Sequence, residues 1–150
     1  MDLYIWPQKE HLYAVVNGKL DLASCAHLFK RAASLAVYRG FSKILFDARL
    51  VTGSLSIAER MILALVMADH VEELGQKTSV AFIDHRPTFD GRAVGVGRSR
   101  GFDVEMFESI PEGLAWLRRS HTSETGTVHA VRTHESVTKQ NLSQALPRSH

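Results

Sequence analysis

Apolar positions recur along the chain with two periods, and each switch between them marks an element. Leu3–Trp6 and Leu12–Val16 are short strand-like runs separated by the polar turn Pro7-Gln8-Lys9-Glu10, and a hairpin is the simplest reading. Asn17-Gly18 ends the second strand, and Asp21 caps the helix that follows. In that helix Leu22, Cys25, Ala26, Phe29, Ala33 and Val37 recur at helical spacing, Lys30 and Arg31 face outward, and Gly40 is the stop. Ile44–Phe46 and Val80–Ile83 are unbroken apolar runs, as expected of strands covered on both faces. Between them Ser56-Ile57-Ala58-Glu59 reads as a capping box. The helix it opens carries Ile57, Met61, Ala64, Leu65, Ala68 and Val71 inward and ends near Gly75. Asp90 is read as the cap of a third helix that runs to Arg100 and stops at Gly101. Val104–Phe107 is the last strand, and Ser109-Ile110-Pro111-Glu112 is a second capping box before the stripe Ile110, Leu114 and Leu117.

The order β-β-α-β-α-β-α-β-α predicts an α/β domain over residues 1–119. Its sheet is mixed, mostly parallel and five-stranded, with four helices and right-handed crossovers between the parallel strands. The opening hairpin adds one antiparallel edge strand. From Ser120 onward Ser and Thr dominate, apolar residues are sparse and no period holds. Residues 120–150 are therefore expected to be a disordered polar tail, or a weak late helix around Glu135–Leu146.

Composition narrows the function classes. A chain of 150 residues with 45% hydrophobic and 23% charged content suits one ordinary globular domain. The net charge of +2 is small and the basic residues are scattered, so nucleic acid is not an expected partner. The first ten residues lack the basic and apolar regions of a signal peptide. The longest apolar run, Met61–Ala68, is far shorter than the ~20 residues a membrane helix needs. A cytoplasmic protein without membrane insertion is the expectation, and the single cysteine, Cys25, is expected to be a packed thiol.

The candidate chemistry concentrates in Lys43–Arg60. A strand ends in Asp47, a loop with Gly53 and Ser54 follows, and a capped helix begins, which places Ser54 and Ser56 where a helix N-terminus favours a phosphate. The carboxyl ends of the strands gather Asp47, Arg49, Thr52, Asp84, His85, Arg86 and Glu108, either as a small-molecule crevice or as a solvated, salt-bridged rim. Asp84, His85 and Asp90 share a loop but lack the helical His spacing of a metal motif, and the four histidines of the tail are dispersed, so no metal is expected. The glycine-rich run Gly91–Gly101 lacks the Gly-Lys-Ser/Thr ending of a phosphate loop. It is read as a helix despite its glycines, because the βαβ connection requires one and small residues allow close packing. No nucleophile–base pair is visible, and no cofactor is expected.

Three stretches carry a family resemblance: Ile44-Leu45-Phe46-Asp47 followed by Leu50-Val51-Thr52-Gly53, the run Arg98–Phe107, and Glu112-Gly113-Leu114-Ala115-Trp116-Leu117. Together with the element order, they resemble the STAS fold of anti-sigma-factor antagonists and their bacterial relatives described as STAS-like or CRAL-TRIO-like. In the antagonists a serine at the start of the second helix is phosphorylated within an Asp-Ser-Ser-Gly-like stretch. Counting without gaps from Asp47, Ser56 takes that place, although Ser54-Leu55-Ser56-Ile57 lacks the preceding Asp and the following Gly. The resemblance implies a non-enzymatic regulatory domain that meets a protein partner through the Thr52–Glu59 loop and helix start. The alternative is a module binding an apolar or anionic small molecule in the crevice near Asp47, His85 and Arg86. A flat apolar patch around Leu55 and the second helix would favour the first, and a large closed apolar pocket the second. Homodimerisation through the helices or the edge strand stays open, because periodicity does not reveal it.

Overall fold

The computed structural model describes residues 1–86 and 91–119. Its elements are β1 (Asp2–Pro7), β2 (Leu12–Lys19), α1 (Leu22–Tyr38), β3 (Lys43–Thr52), α2 (Ile57–Leu74), β4 (Ser79–Ile83), α3 (Gly91–Ser99) and β5 (Asp103–Phe107). A last helix, α4, covers residues 110–119. Met1–Leu117 form one compact unit. The expected cap at Asp90 and the tail 120–150 lie outside the described residues.

The five strands lie in sequence order, β1-β2-β3-β4-β5. β1 and β2 pair antiparallel, and every later pair is parallel, as the pattern predicts. Sequential parallel strands with crossovers of one hand place the connecting helices on one face of the sheet. Accordingly α1, α2 and α3 cover the face carrying Ala14, Ile44, Phe46, Val80, Phe82 and Val104. Phe29 of α1 fills its centre, with ring centroids 5.7–6.4 Å from Phe46, Phe82 and Phe102. The opposite face holds Leu45, Ala81 and Ile83 under Leu114 and Leu117 of α4. A Cβ on Gly113 would come within 2.6 Å of Ile83 Cδ1, so the missing side chain is what seats α4 on the sheet.

The helix ends follow the sequence signals. Asp21 accepts the N–H of Ser24 at 2.8 Å. Ser56 and Glu59 close a full capping box, and Gly75 ends α2 in the left-handed conformation. The Oγ of Ser109 accepts the N–H of Glu112 at 3.4 Å. Gly91–Ser99 is helical, and Gly97 lies against Val104 and Phe102 with no room for a side chain without adjustment.

Two expectations need correction. Strand β2 does not end at Asn17-Gly18, and β3 does not end at Asp47: Gly18 pairs with Val51 and Lys19 with Thr52. The cause is a bulge, since β3 advances three residues from Asp47 to Leu50 while β2 advances two from Val15 to Asn17. The extra residue moves the inward parity of β3 from Ile44 and Phe46 to Val51, so strict alternation breaks and the strand reads as a loop. The second correction concerns α2. Its buried positions are Leu63, Ala64, Met67, Ala68 and Val71, while Ile57 and Leu65 face outward and Met61 is half-buried. A helix apolar on nearly all sides has no clear phase, and periodicity cannot choose which face the sheet takes.

Candidate functional site

The segment between β3 and α2 is held in place from four directions. Leu55 is buried and anchors the loop in the apolar layer between the sheet and the helices. Arg60 Nε donates to the Leu55 carbonyl at 3.0 Å, and Arg86 Nη1 donates to the Gly53 carbonyl at 3.1 Å. The capping box supplies the fourth restraint: the Glu59 N–H meets Ser56 Oγ at 3.1 Å, and the Ser56 N–H meets Glu59 Oε2 at 2.7 Å. Ser54 and Ser56 are both exposed on this restrained loop.

The remaining candidates do not share one crevice. Asp47 pairs in register with Ile83, so the residue after Ile83 belongs to the other face of the sheet. Asp47 lies on the α4 side, beyond Leu45 on β3. Its Oδ2 accepts the Tyr13 hydroxyl at 2.9 Å and Arg49 Nη2 at 2.8 Å. Its Oδ1 accepts the Arg49 Nε at 2.9 Å and the Arg49 backbone N–H at 3.1 Å, which fixes the bulge. Burial pushes the Asp47 carboxyl up, but the hydrogen bonds from Arg49 and Tyr13 outweigh burial and hold it below the ordinary carboxylate range.

Asp84, by contrast, lines the cavity under α1 and α2. It accepts the Arg86 backbone N–H at 3.1 Å. His85 is mostly exposed, and its Nδ1 lies 3.9 Å from Asp84 Oδ1. Thr52 Oγ1 reaches the Gly18 carbonyl at 3.5 Å. Among the described residues no three His, Cys, Asp or Glu side chains gather as a metal-binding group.

That cavity has a volume of about 40 Å³ and is walled mostly by apolar side chains, including Phe46, Val51, Leu55, Met67 and Phe82. Preformed small-molecule sites usually measure ~300–1,000 Å³. Cys25 borders it with its Sγ 3.7 Å from Met1 Sδ, and burial pushes the thiol up to about 11.

The surface beside the serines is apolar. Ile57, Ile62 and Leu65 of α2 are 57%, 47% and 40% exposed, and together with Ala58 and Met61 they fall within one arc of its N-terminal half. Leu55 itself is not part of the patch. Farther along, α2 turns acidic, and Arg100 after α3 pairs there with Asp69 and Glu72. The exposed arc escaped the sequence reading, although Ile57-x-x-x-Met61-x-x-x-Leu65 could be assigned outward once Leu63, Met67 and Val71 claim the inner face.

Comparison with solved structures fits this architecture. An anti-sigma factor antagonist from Mycobacterium paratuberculosis superposes with a TM-score of 0.55 at 16% identity, over 78% of this chain and 93% of that one. The fold is that of the anti-sigma factor antagonists. The unphosphorylated antagonist SpoIIAA matches at 15% identity and a TM-score of 0.46, covering 78% of this chain and 98% of its own. An uncharacterised DUF3478-family protein with a SpoIIAA-like fold, from Shewanella loihica, matches at 19% identity and 0.45, over 77% and 92%. No family model matches the sequence, and no curated protein matches it. The STAS side of the resemblance is thus supported at the level of fold, and its CRAL-TRIO side gains no support. Among the described residues no helix is long and apolar enough to cross a membrane.

Proposed function

We propose that this chain is a non-enzymatic regulatory domain that docks another protein through the first half of α2 and the loop before it. The observation that carries the reading is the apolar arc of Ile57, Ile62 and Leu65 beside a restrained loop bearing Ser54 and Ser56. Exposed apolar surface of this kind is costly in isolation and suits a contact. The antagonist fold adds an analogy in the same direction, and an analogy is all that fold alone supplies. The small-ligand alternative lacks a chamber at the strand ends, since the cavity that Asp84 lines measures about 40 Å³.

Ser56 is the phosphoacceptor in this reading, with Ser54 as the second choice. A phosphate on Ser56 would meet the positive end of α2, which favours it, and the Glu59 carboxylate, which repels it. Glu59 would have to leave the Ser56 N–H, opening the capping box and changing the rim of the docking surface. Charge at this point is therefore the control on binding in this reading.

The decisive experiment uses the intact chain as bait, with Ile62→Glu and Leu65→Glu as surface variants that leave the buried face of α2 alone. One stoichiometric protein captured by the wild type and lost by both variants, at unchanged circular dichroism, is the expected result. Capture that ignores both variants, or stabilisation by a metabolite without any protein partner, overturns the reading. The Ser56→Asp and Ser56→Ala variants then report on the switch: equal affinity for the partner removes Ser56 from it.

A further inference from the structure

The edge of the sheet farthest from α3 offers a second surface, unrelated to the serine loop. Strand β1 is an edge strand, paired only with β2 among the described residues. The Gln8 N–H donates to the His11 carbonyl at 2.9 Å and sets the phase of the ladder. Counting by twos along the register, Trp6, Tyr4 and Asp2 direct their backbone groups at Tyr13, Val15 and Asn17. Leu3 and Ile5 then aim their N–H and C=O groups off the edge. Their side chains pack toward α1, whereas Tyr4 and Trp6 stack on the other face with centroids 6.3 Å apart.

Beside this edge runs an open groove of about 550 Å³ between β1 and α1. Ile5, Leu35 and Tyr38 supply its apolar walls, Lys30 and Arg31 its charge, and His27 and Ser34 complete its lining. Helix α1, LASCAHLFKRAASLAVY, contains no carboxylate, and neither Lys30 nor Arg31 forms an ion pair among the described residues. A chain that pairs antiparallel with β1 and hydrogen-bonds to Leu3 and Ile5 places its bonded residues on their face of the sheet. Those side chains enter the groove, and the intervening ones lie beside Tyr4 and Trp6.

We propose that β1 accepts an extended acidic segment of another protein as an antiparallel sixth strand. Its carboxylates point at Lys30 and Arg31, and its alternate apolar residues cover Tyr4 and Trp6. The backbone ladder supplies affinity and the alternation supplies specificity, as in other strand-addition complexes. A second copy of this chain fits less well: pairing β1 on β1 about a two-fold axis sets each α1 beside the other, with Lys30 and Arg31 opposed to like charge.

The test uses the full chain and the capped peptide Glu-Val-Glu-Val-Glu-Val, followed by amide chemical shifts. The expected result is binding with shifts centred on Leu3 and Ile5. The Lys30→Glu/Arg31→Glu variant should weaken it by about ten-fold or more. N-methylation of the Glu nitrogens, which face β1, should abolish binding, and N-methylation of the Val nitrogens, which face away, should not. The proposal fails if the charge-reversed variant binds equally well, if both methylated peptides behave alike, or if the shifts map to α2. It also fails if nothing binds at millimolar peptide, or if sedimentation shows β1 already closed in a dimer.

Discussion

Two Asp-X-Arg steps stand on neighbouring parallel strands, Asp47-Ala48-Arg49 at the bulge within β3 and Asp84-His85-Arg86 just after β4. Their backbones do the same thing, since each aspartate accepts the N–H of the arginine two residues on. Their side chains diverge. Arg49 turns back on Asp47 with two good hydrogen bonds, and Tyr13 completes the set, so the first step is locally closed. Arg86 Nε lies 3.5 Å from Asp84 Oδ1, and its Nη1 reaches across to the Gly53 carbonyl. One step therefore serves the strand that contains it, and the other ties the end of β4 to the loop that presents Ser54 and Ser56. A shared local motif has been given two uses by the face of the sheet on which each carboxylate falls.

The largest expected effect comes from breaking the closed step. Asp47→Ala leaves Tyr13, the Arg49 cation and the bulge N–H without their common acceptor. It should cost about 3 kcal/mol in chemical denaturation, as loss of a buried, multiply bonded charge does. The pH dependence has a definite sign. The folded carboxyl lies below its unfolded value of about 3.9, so the stabilisation is fully present above that value and fades as pH falls through the lower folded one. Stability of the wild type relative to Asp47→Asn should stay constant from about pH 7 to 5 and shrink below about pH 4. A gap that grows on acidification would show that Asp47 is not held as an anion.

The two steps also show where sequence reading reaches its limit. The element order, sheet pairing, caps and helical glycine run were legible because each depends on local patterning or on the handedness of crossovers. Asp47 and Asp84 were grouped into one rim because both follow apolar runs, yet a one-residue offset in register puts them on opposite faces. The bulge hid the second half of β3 for the same reason. The outward apolar arc of α2 was hidden because only the packing chooses between two apolar faces. Sequence repetition of Asp-X-Arg was the available clue, and it speaks to backbone geometry rather than to the target of each arginine.

On the face carrying Asp47, α4 approaches the sheet closely at Gly113, which a smaller change should reveal. In Gly113→Ala the new Cβ would meet Ile83 Cδ1 at 2.6 Å and Leu45 Cδ1 at 3.0 Å. Both contacts are side-chain tips that can turn, so the expected cost is about 2 kcal/mol rather than loss of the fold. Thermal unfolding measures it directly. No loss of stability would mean that α4 rides loosely on the sheet.

Arg86→Gln is the mildest break and the most informative. Arg86 is partly exposed, and its hydrogen bond to Gly53 joins two surface segments, so global stability should fall by only about 1 kcal/mol. The loop should respond more than the fold. Amide exchange over residues 53–56 is expected to speed up, while exchange within β3 and β4 stays as in the wild type. The Asp47→Asn variant should give the opposite distribution, with faster exchange along β3 and an unchanged loop. Should both variants loosen the same amides, the two steps would form one network across the sheet, and the loop would owe its shape to Leu55 and the capping box rather than to Arg86.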